Sequence, residues 1–256
     1  MLFPISDDDR HVMRIPIVTY LLLAANVLVF LYQMADPNFT YGWSVIPKEI
    51  STGTDLVGTV SVDTPDGQVN IPQQPGPPII WITLLSSMFM HGGVGHIMGN
   101  MLYLYIFGNN VEDRFGHIPF LLFYLIAGLV GSVAQVISDP TSVIPNLGAS
   151  GAIAGVMGAY LVLFPYNRVN AVFLYTIVSI PAIFVLGMWI VMQLFSGYGA
   201  IASTETTTGG VAYLAHIGGF LAGAVAALIW RPMAHPDRHS ILQLQYEHDP
   251  RSHQIW

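Results

Sequence analysis

Acidic and basic positions are sparse along the chain, and between them lie six runs without a charge: 15–35, 67–111, 115–138, 140–167, 169–204 and 206–230. Each is long enough to cross a bilayer, which takes about 20 mostly apolar residues as a helix. The run 67–111 exceeds one span. Its segment PPIIWITLLSSMFMHGG, with Trp81 and Phe89, reads as an interfacial helix ahead of a span at about 94–110. The connection 36–78 is the one sizeable polar stretch, and there TDLVGTVSVDTPDGQVNIPQQPGPP alternates around an Asp66-Gly67 turn signal that predicts a small hairpin. The expected organisation is an N-terminal segment 1–14, a six-helix domain over 15–230 with its first outer loop at about 36–78, and a polar, partly disordered tail over 231–256. The fifth span is expected over 171–195, followed by a small-residue outer loop from Ser196.

Composition supports this pattern. The chain is 53% hydrophobic and 9% charged, against about 25% charged in an average soluble domain, which argues against a soluble globule. Arg10, Arg14, Arg114, Arg168, Arg231, Arg238 and Arg251 flank alternate connections, whereas the opposite connections hold only Lys48. That positive-inside bias places both termini in the cytoplasm and requires an even number of crossings. A net charge of −7 with no basic surface sets nucleic-acid partners aside, and zero cysteines exclude disulfides, Cys-ligated metal and a thiol nucleophile. The acidic start MLFPISDDDRHVMR lacks the charged region and cleavage site of a signal peptide, so the first apolar run is expected to be a retained span.

Polar groups inside apolar spans are costly and are candidates for function. Three positions stand out: His96-x-x-x-Asn100 early in the second span, Ser150 in Gly148-Ala149-Ser150-Gly151 opening the fourth, and His216 in Ala215-His216-Ile217-Gly218-Gly219 in the sixth. These three spans run inward from the same side, which puts the groups at similar depth. Taken singly, such a serine usually bonds its own helix backbone, and such a histidine is usually a packed core residue. The surrounding glycines change the balance. Gly148, Gly151, Gly155 and Gly158, facing Gly219-x-x-x-Gly223, carry the small-residue spacing that lets two membrane helices approach closely. The charge-free runs hold no carboxylate, so serine chemistry here must rest on a Ser150–His216 dyad. His96 and Asn100 share a helix face and, with the Ser150 backbone N–H, can supply donors to a developing oxyanion.

These residues resemble the rhomboid intramembrane serine proteases. The motifs that carry the resemblance are His91-Gly92-Gly93-Val94-Gly95-His96-Ile97-Met98-Gly99-Asn100, Asn110-Val111-Glu112-Asp113-Arg114-Phe115-Gly116, Gly148-Ala149-Ser150-Gly151 and Ala215-His216-Ile217-Gly218-Gly219, in order over about residues 10–230. The resemblance implies an all-α membrane protein, a six-transmembrane-helix bundle with a membrane-associated first outer loop that includes Trp81. It implies Ser150 as nucleophile, His216 as general base, His96, Asn100 and Ser150 as the oxyanion hole, and no cofactor or metal. Gly148, Gly151, Gly219 and Gly223 would serve as structural support. The implied substrates are other transmembrane-helix proteins, cut near the outer surface through an acyl-enzyme, and the expected location is a prokaryotic cell (inner) membrane. Two departures stand out: Ile82 follows Trp81 where many members have arginine, and Ala154 stands one turn after the serine where some place an aromatic against the histidine. The alternative is a catalytically silent relative that binds membrane proteins, which loss of the serine or histidine normally betrays. A transporter or metal permease built on His91, His96 and His216 would call for intramembrane carboxylates or broken helices at a midplane site.

Overall fold

The computed structural model describes residues 2–10, 12–64, 67–202 and 212–230. The tail expected over 231–256 and most of the last outer connection lie outside them. Strand β1 (Leu2–Asp7) is followed by helix α1 (Ile17–Ala35), short helices α2 (Pro37–Trp43) and α3 (Pro47–Thr52), and the hairpin β2 (Gly58–Thr64) and β3 (Gly67–Gln73). A helical segment then covers Ile80–Phe89, its longest α-helical piece being α4 (Thr83–Ser86). After it come α5 (Val94–Phe115), α6 (His117–Ser138), α7 (Ser150–Leu163), β4 (Arg168–Phe173), β5 (Thr176–Pro181), α8 (Ala182–Ala202) and α9 (Tyr213–Trp230).

Four of these helices, α1, α6, α8 (over Ala182–Gly199) and α9, are long and apolar enough to cross a membrane. Helix α5 is as long as α6 but ends in Glu112, Asp113 and Arg114, and α7 has only 14 residues. The brevity of α7 goes with its place at the centre of the bundle. Every residue from Gly151 to Tyr160 is buried, as expected of a helix that is apolar all round. By contrast, the outer surfaces of α1, α8 and α9 expose large apolar side chains such as Leu21, Leu28, Phe184, Phe195, Leu221 and Ile229.

The fold is mostly helical, as expected, but among the described residues five strands accompany the helices, and three of them lie where none was expected. Residues 171–181 are not the start of the fifth span. They complete a β4–β5 hairpin whose first strand pairs antiparallel with β1, giving the sheet order β1-β4-β5. The absence of charge over 169–204 concealed a change of period. Arg168-Val169-Asn170-Ala171 has the buried-alternate pattern of a strand, with Val169 and Ala171 fully buried. The fifth helix therefore starts at Ala182 and continues through Ser196-Gly197-Tyr198-Gly199, which the sequence placed in a loop. The N-terminal residues, expected as a plain tail, supply an edge strand. The hairpin around Asp66-Gly67 is present, with Thr64 paired to Gly67 and Gly58 to Gln73.

Interhelical polar contacts fix the two ends of the bundle. At the end away from Ser150, the Glu112 carboxylate accepts hydrogen bonds from the backbone N–H groups of Val18 and Thr19 and from Thr19 Oγ1, at 2.9, 2.7 and 2.7 Å. Helix α1 has no capping side chain of its own, and this carboxylate satisfies its first N–H groups and its dipole. At the Ser150 end, Val45 bridges Asn146, Lys48 N–H bonds Ser142 O at 3.0 Å, and Gly148 N–H bonds Ser87 O at 2.9 Å. Together they tie the connection before α7 to the first long connection.

Candidate active site

Ser150 is the first residue of α7, so its side chain sits where the helix's unpaired N–H groups converge and anionic charge is favoured. Helix α9 passes α7 at very short range. A Cβ added to Gly219 would overlap the Gly151 carbonyl, and one on Gly223 would overlap the Gly155 carbonyl. Only hydrogen fits at these positions. The approach brings His216, one turn before Gly219, to Ser150, with 2.7 Å between His216 Nε2 and Ser150 Oγ. His216 is 9% exposed, its ring enclosed between helices.

The other side of the His216 ring is held by α8. Nδ1 lies 2.8 Å from Gln193 Oε1, and the Trp189 ring packs on the imidazole with centroids 5.7 Å apart and planes at 37°. Gln193 and Trp189 are four residues apart and share one face of α8. Reading the sequence missed both. The available signal was that Gln193 is the one amide side chain in α8, where an unpaired amide would face lipid. Trp189 fills the role left open by Ala154, which is fully buried.

His96 and Asn100 project from the first turns of α5. His96 Nδ1 accepts a hydrogen bond from Gly92 N–H at 3.3 Å, so the neutral ring carries its proton on Nε2. That nitrogen faces the serine. The position a Gly148 Cβ would take is 2.9 Å from His96 Nε2 and 3.5 Å from Ser150 Oγ. Gly148 has φ +138°, in the region that favours glycine, and it keeps this gap open. The His91 ring packs edge-on against His96 at 5.1 Å between centroids. One turn deeper, Asn100 is 8% exposed, and its Nδ2 has no hydrogen-bond partner among the described residues. A buried donor without a partner is costly unless something else is to occupy the space.

The structure thus gathers Ser150, His216 and His96 around Gly148, with Gly151, Gly219 and Gly223 at the helix contact. It ranks the glycines unevenly. A Cβ on Gly151 would meet the Ala215 carbonyl oxygen at 3.5 Å, ordinary contact, whereas one on Gly158 of the same helix would overlap the Phe220 carbonyl of α9, so the demand for glycine is strict at Gly158, Gly219 and Gly223 and mild at Gly151. Ser150 lines a small cleft of about 30 Å³, room for a water molecule, where Ser87, Ser132, Gln135 and Asn146 lie among apolar neighbours such as Met88 and Ala152. A part-buried hydroxyl bonded to an imidazole nitrogen, beside aligned donors and a cleft with room for water, is an arrangement able to transfer an acyl group.

Comparison with known proteins bears on the family. The model of the Rhomboid domain matches residues 80–233, more than half of the chain, a stretch that includes His96, Asn100, Ser150, Gln193 and His216. The chain is 37% identical over 148 residues to Rhomboid protease GluP of Bacillus subtilis (strain 168), covering 57% of this chain and 25% of that protein. It is 32% identical over 146 residues to RHOMBOID-like protein 4 of Arabidopsis thaliana, covering 57% and 33%. To Rhomboid protein 1, mitochondrial, of Saccharomyces cerevisiae it is 29% identical over 148 residues, covering 56% and 40%. These matches span two fifths or less of the relatives' own lengths. With three of the four motifs meeting at the Ser150 end of an apolar helical bundle and the Asn110–Gly116 motif at its other end, the chain belongs to the rhomboid family and is an integral membrane protein.

Proposed function

We propose that the protein is an intramembrane serine endopeptidase that hydrolyses peptide bonds in or near transmembrane segments of other membrane proteins. In this reading six helices, α1, α5, α6, α7, α8 and α9, cross the bilayer, α7 being short because it is ringed by the others. The arginine distribution favours both termini on the cytoplasmic side, with Ser150 near the outer surface, and the membrane in this reading is a prokaryotic cell membrane. The Ile80–Phe89 segment, with Trp81 and Ile82 exposed, rests in the outer interface.

The observation that carries the reading is the 2.7 Å contact between Ser150 and His216, residues 66 apart in sequence and brought together by a helix crossing that only glycine permits. In the mechanism, His216 Nε2 takes the Ser150 proton as Oγ attacks the scissile carbonyl carbon. His96 Nε2–H, Asn100 Nδ2–H and the Ser150 backbone N–H donate to the resulting oxyanion. The imidazolium then gives its proton to the leaving amine. Water from the cleft, deprotonated by His216, hydrolyses the acyl-enzyme and regenerates the serine. The protein substrate supplies its own reacting carbonyl, and no metal or cofactor has a part.

The test is cleavage of a single-span protein substrate by the purified protein in detergent. The expected result is a cut near the outer end of the substrate helix that Ser150→Ala abolishes. Cleavage that persists in Ser150→Ala, or none by the folded wild type against a panel of single-span substrates, would overturn the reading.

A further inference from the structure

We propose that Gln193 is the positioning residue for His216, the acceptor that holds the imidazole in its reactive tautomer, and that α8 therefore carries a third polar member of the catalytic group. This rests on the proteolytic reading above. A neutral imidazole has one donor and one acceptor nitrogen, and Nε2 can take the serine proton only if Nδ1 holds the ring's own. In soluble serine proteases a carboxylate enforces that choice, and removing its charge while keeping the geometry costs several orders of magnitude in rate by selecting the wrong tautomer. Here the helices around His216 hold no carboxylate near it, since Glu112 and Asp113 lie at the other end of α5. Gln193 Oε1, 2.8 Å from Nδ1, takes the acceptor's place.

An amide suits this position. Burying a carboxylate between membrane helices carries a far larger desolvation penalty than burying a neutral carbonyl oxygen. The amide oxygen accepts one proton-bearing nitrogen in either charge state of the ring, so the Nδ1–H bond survives when Nε2 receives the serine proton. Trp189, one turn before Gln193, lays its indole against the same ring. It limits rotation of the imidazole and offers an aromatic face to the cation formed during reaction. An ordinary stabilising amide between two helices would bond backbone or another amide. Gln193 instead meets the one nitrogen of the dyad that the reaction does not use.

The experiment uses the full chain in proteoliposomes with a single-span substrate, and in parallel measures covalent labelling of Ser150 by a fluorophosphonate without substrate. Gln193→Leu removes the acceptor at similar size, and Gln193→Glu restores an oxygen. Gln193→Leu is expected to lower kcat about 100-fold, at the lower end of what a general base contributes, with KM within about twofold of wild type because the residue acts on the proton and not on substrate binding. The Ser150 labelling rate should fall in parallel, and Gln193→Glu should recover most of both. Labelling and kcat at the wild-type level in Gln193→Leu, or loss confined to KM, would overturn the proposal. A measurement independent of any Gln193 variant is the ¹⁵N spectrum of histidine-labelled wild type, with the His216 signals assigned by difference from His216→Ala. A neutral ring protonated on Nδ1 is expected, and one protonated on Nε2 would refute the assignment. Failure of this inference is distinct from failure of the proteolytic reading, because a wild type that cleaves through Ser150 while Gln193→Leu is fully active removes only the role of Gln193.

Discussion

At the scale of single residues, the reading makes Asn100 a donor waiting for an oxyanion. Its buried Nδ2 has no partner among the described residues, so truncating it leaves the ground state largely as it is. Asn100→Ala is expected to lower kcat while the protein keeps its melting temperature within a few degrees. The loss should be smaller than the roughly 2.7–4 kcal/mol of a lone oxyanion donor in a soluble protease, because two other donors remain. Unfolding of the variant in detergent, followed by tryptophan fluorescence, would instead make Asn100 a structural residue. Ser150, His216, His96 and Asn100 were legible in the sequence because each is a polar group set in an apolar run beside glycines. Gln193 was not. It lies in the part of its run that the sequence assigned to the span's outer end, where an amide needs no explanation, and only the three-dimensional approach of α8 to α9 shows what it bonds.

At the scale of elements, the helix contact between α7 and α9 decides whether the dyad forms. Gly219→Ala should already separate the helices, because the added carbon would strike the Gly151 carbonyl, whereas Gly151→Ala should fold and retain activity, its carbon meeting only an ordinary contact. Equal activities of the two variants would show that the crossing is not set as described. Helix α8 packs less closely on its neighbours and is the element best able to move aside for a substrate helix. Its Phe184 faces outward, 65% exposed, and is the clean probe of such a gate. Phe184→Ala is expected to speed cleavage of a membrane-embedded substrate without changing the rate of Ser150 labelling, and unchanged or slower cleavage by the folded variant would remove the gate. Trp189 is unsuitable for that experiment because it also packs on His216. Gly199, placed by the sequence in a loop, is helical in α8 with open space beside it, and its replacement by leucine should matter little. Helix positions were legible from charge-free runs longer than a span. The β4–β5 hairpin was not, because a missing charge reports burial in something apolar and says nothing about period.

At the scale of the whole molecule, the end of the bundle far from Ser150 is closed by the β1-β4-β5 sheet, which joins the first residues of the chain to the connection between α7 and α8. The joint centres on Asp7, whose Oδ2 accepts from Tyr160 at 2.6 Å and from Asn110 at 2.7 Å. Burial raises the Asp7 carboxyl from the usual range to about 7, with Tyr160 opposing the rise and the negative charges of Asp9 and Asp8 adding to it. The folded protein therefore keeps a proton that the unfolded chain releases from about pH 4, and this group's contribution to stability falls as pH rises from about 4 to 7. The difference in melting temperature between Asp7→Asn and wild type should grow in the variant's favour across that window and then level off. A difference that is flat with pH would show that Asp7 is ionised throughout. The central claim is that one serine among many is made nucleophilic by one histidine brought to it across the bundle. The most direct measurement is mass-spectrometric identification of the site modified by a fluorophosphonate in the wild type and in His216→Ala. The account predicts modification at Ser150 alone in the wild type and none in His216→Ala, whereas modification of another serine, or of Ser150 at an undiminished rate without His216, would contradict it.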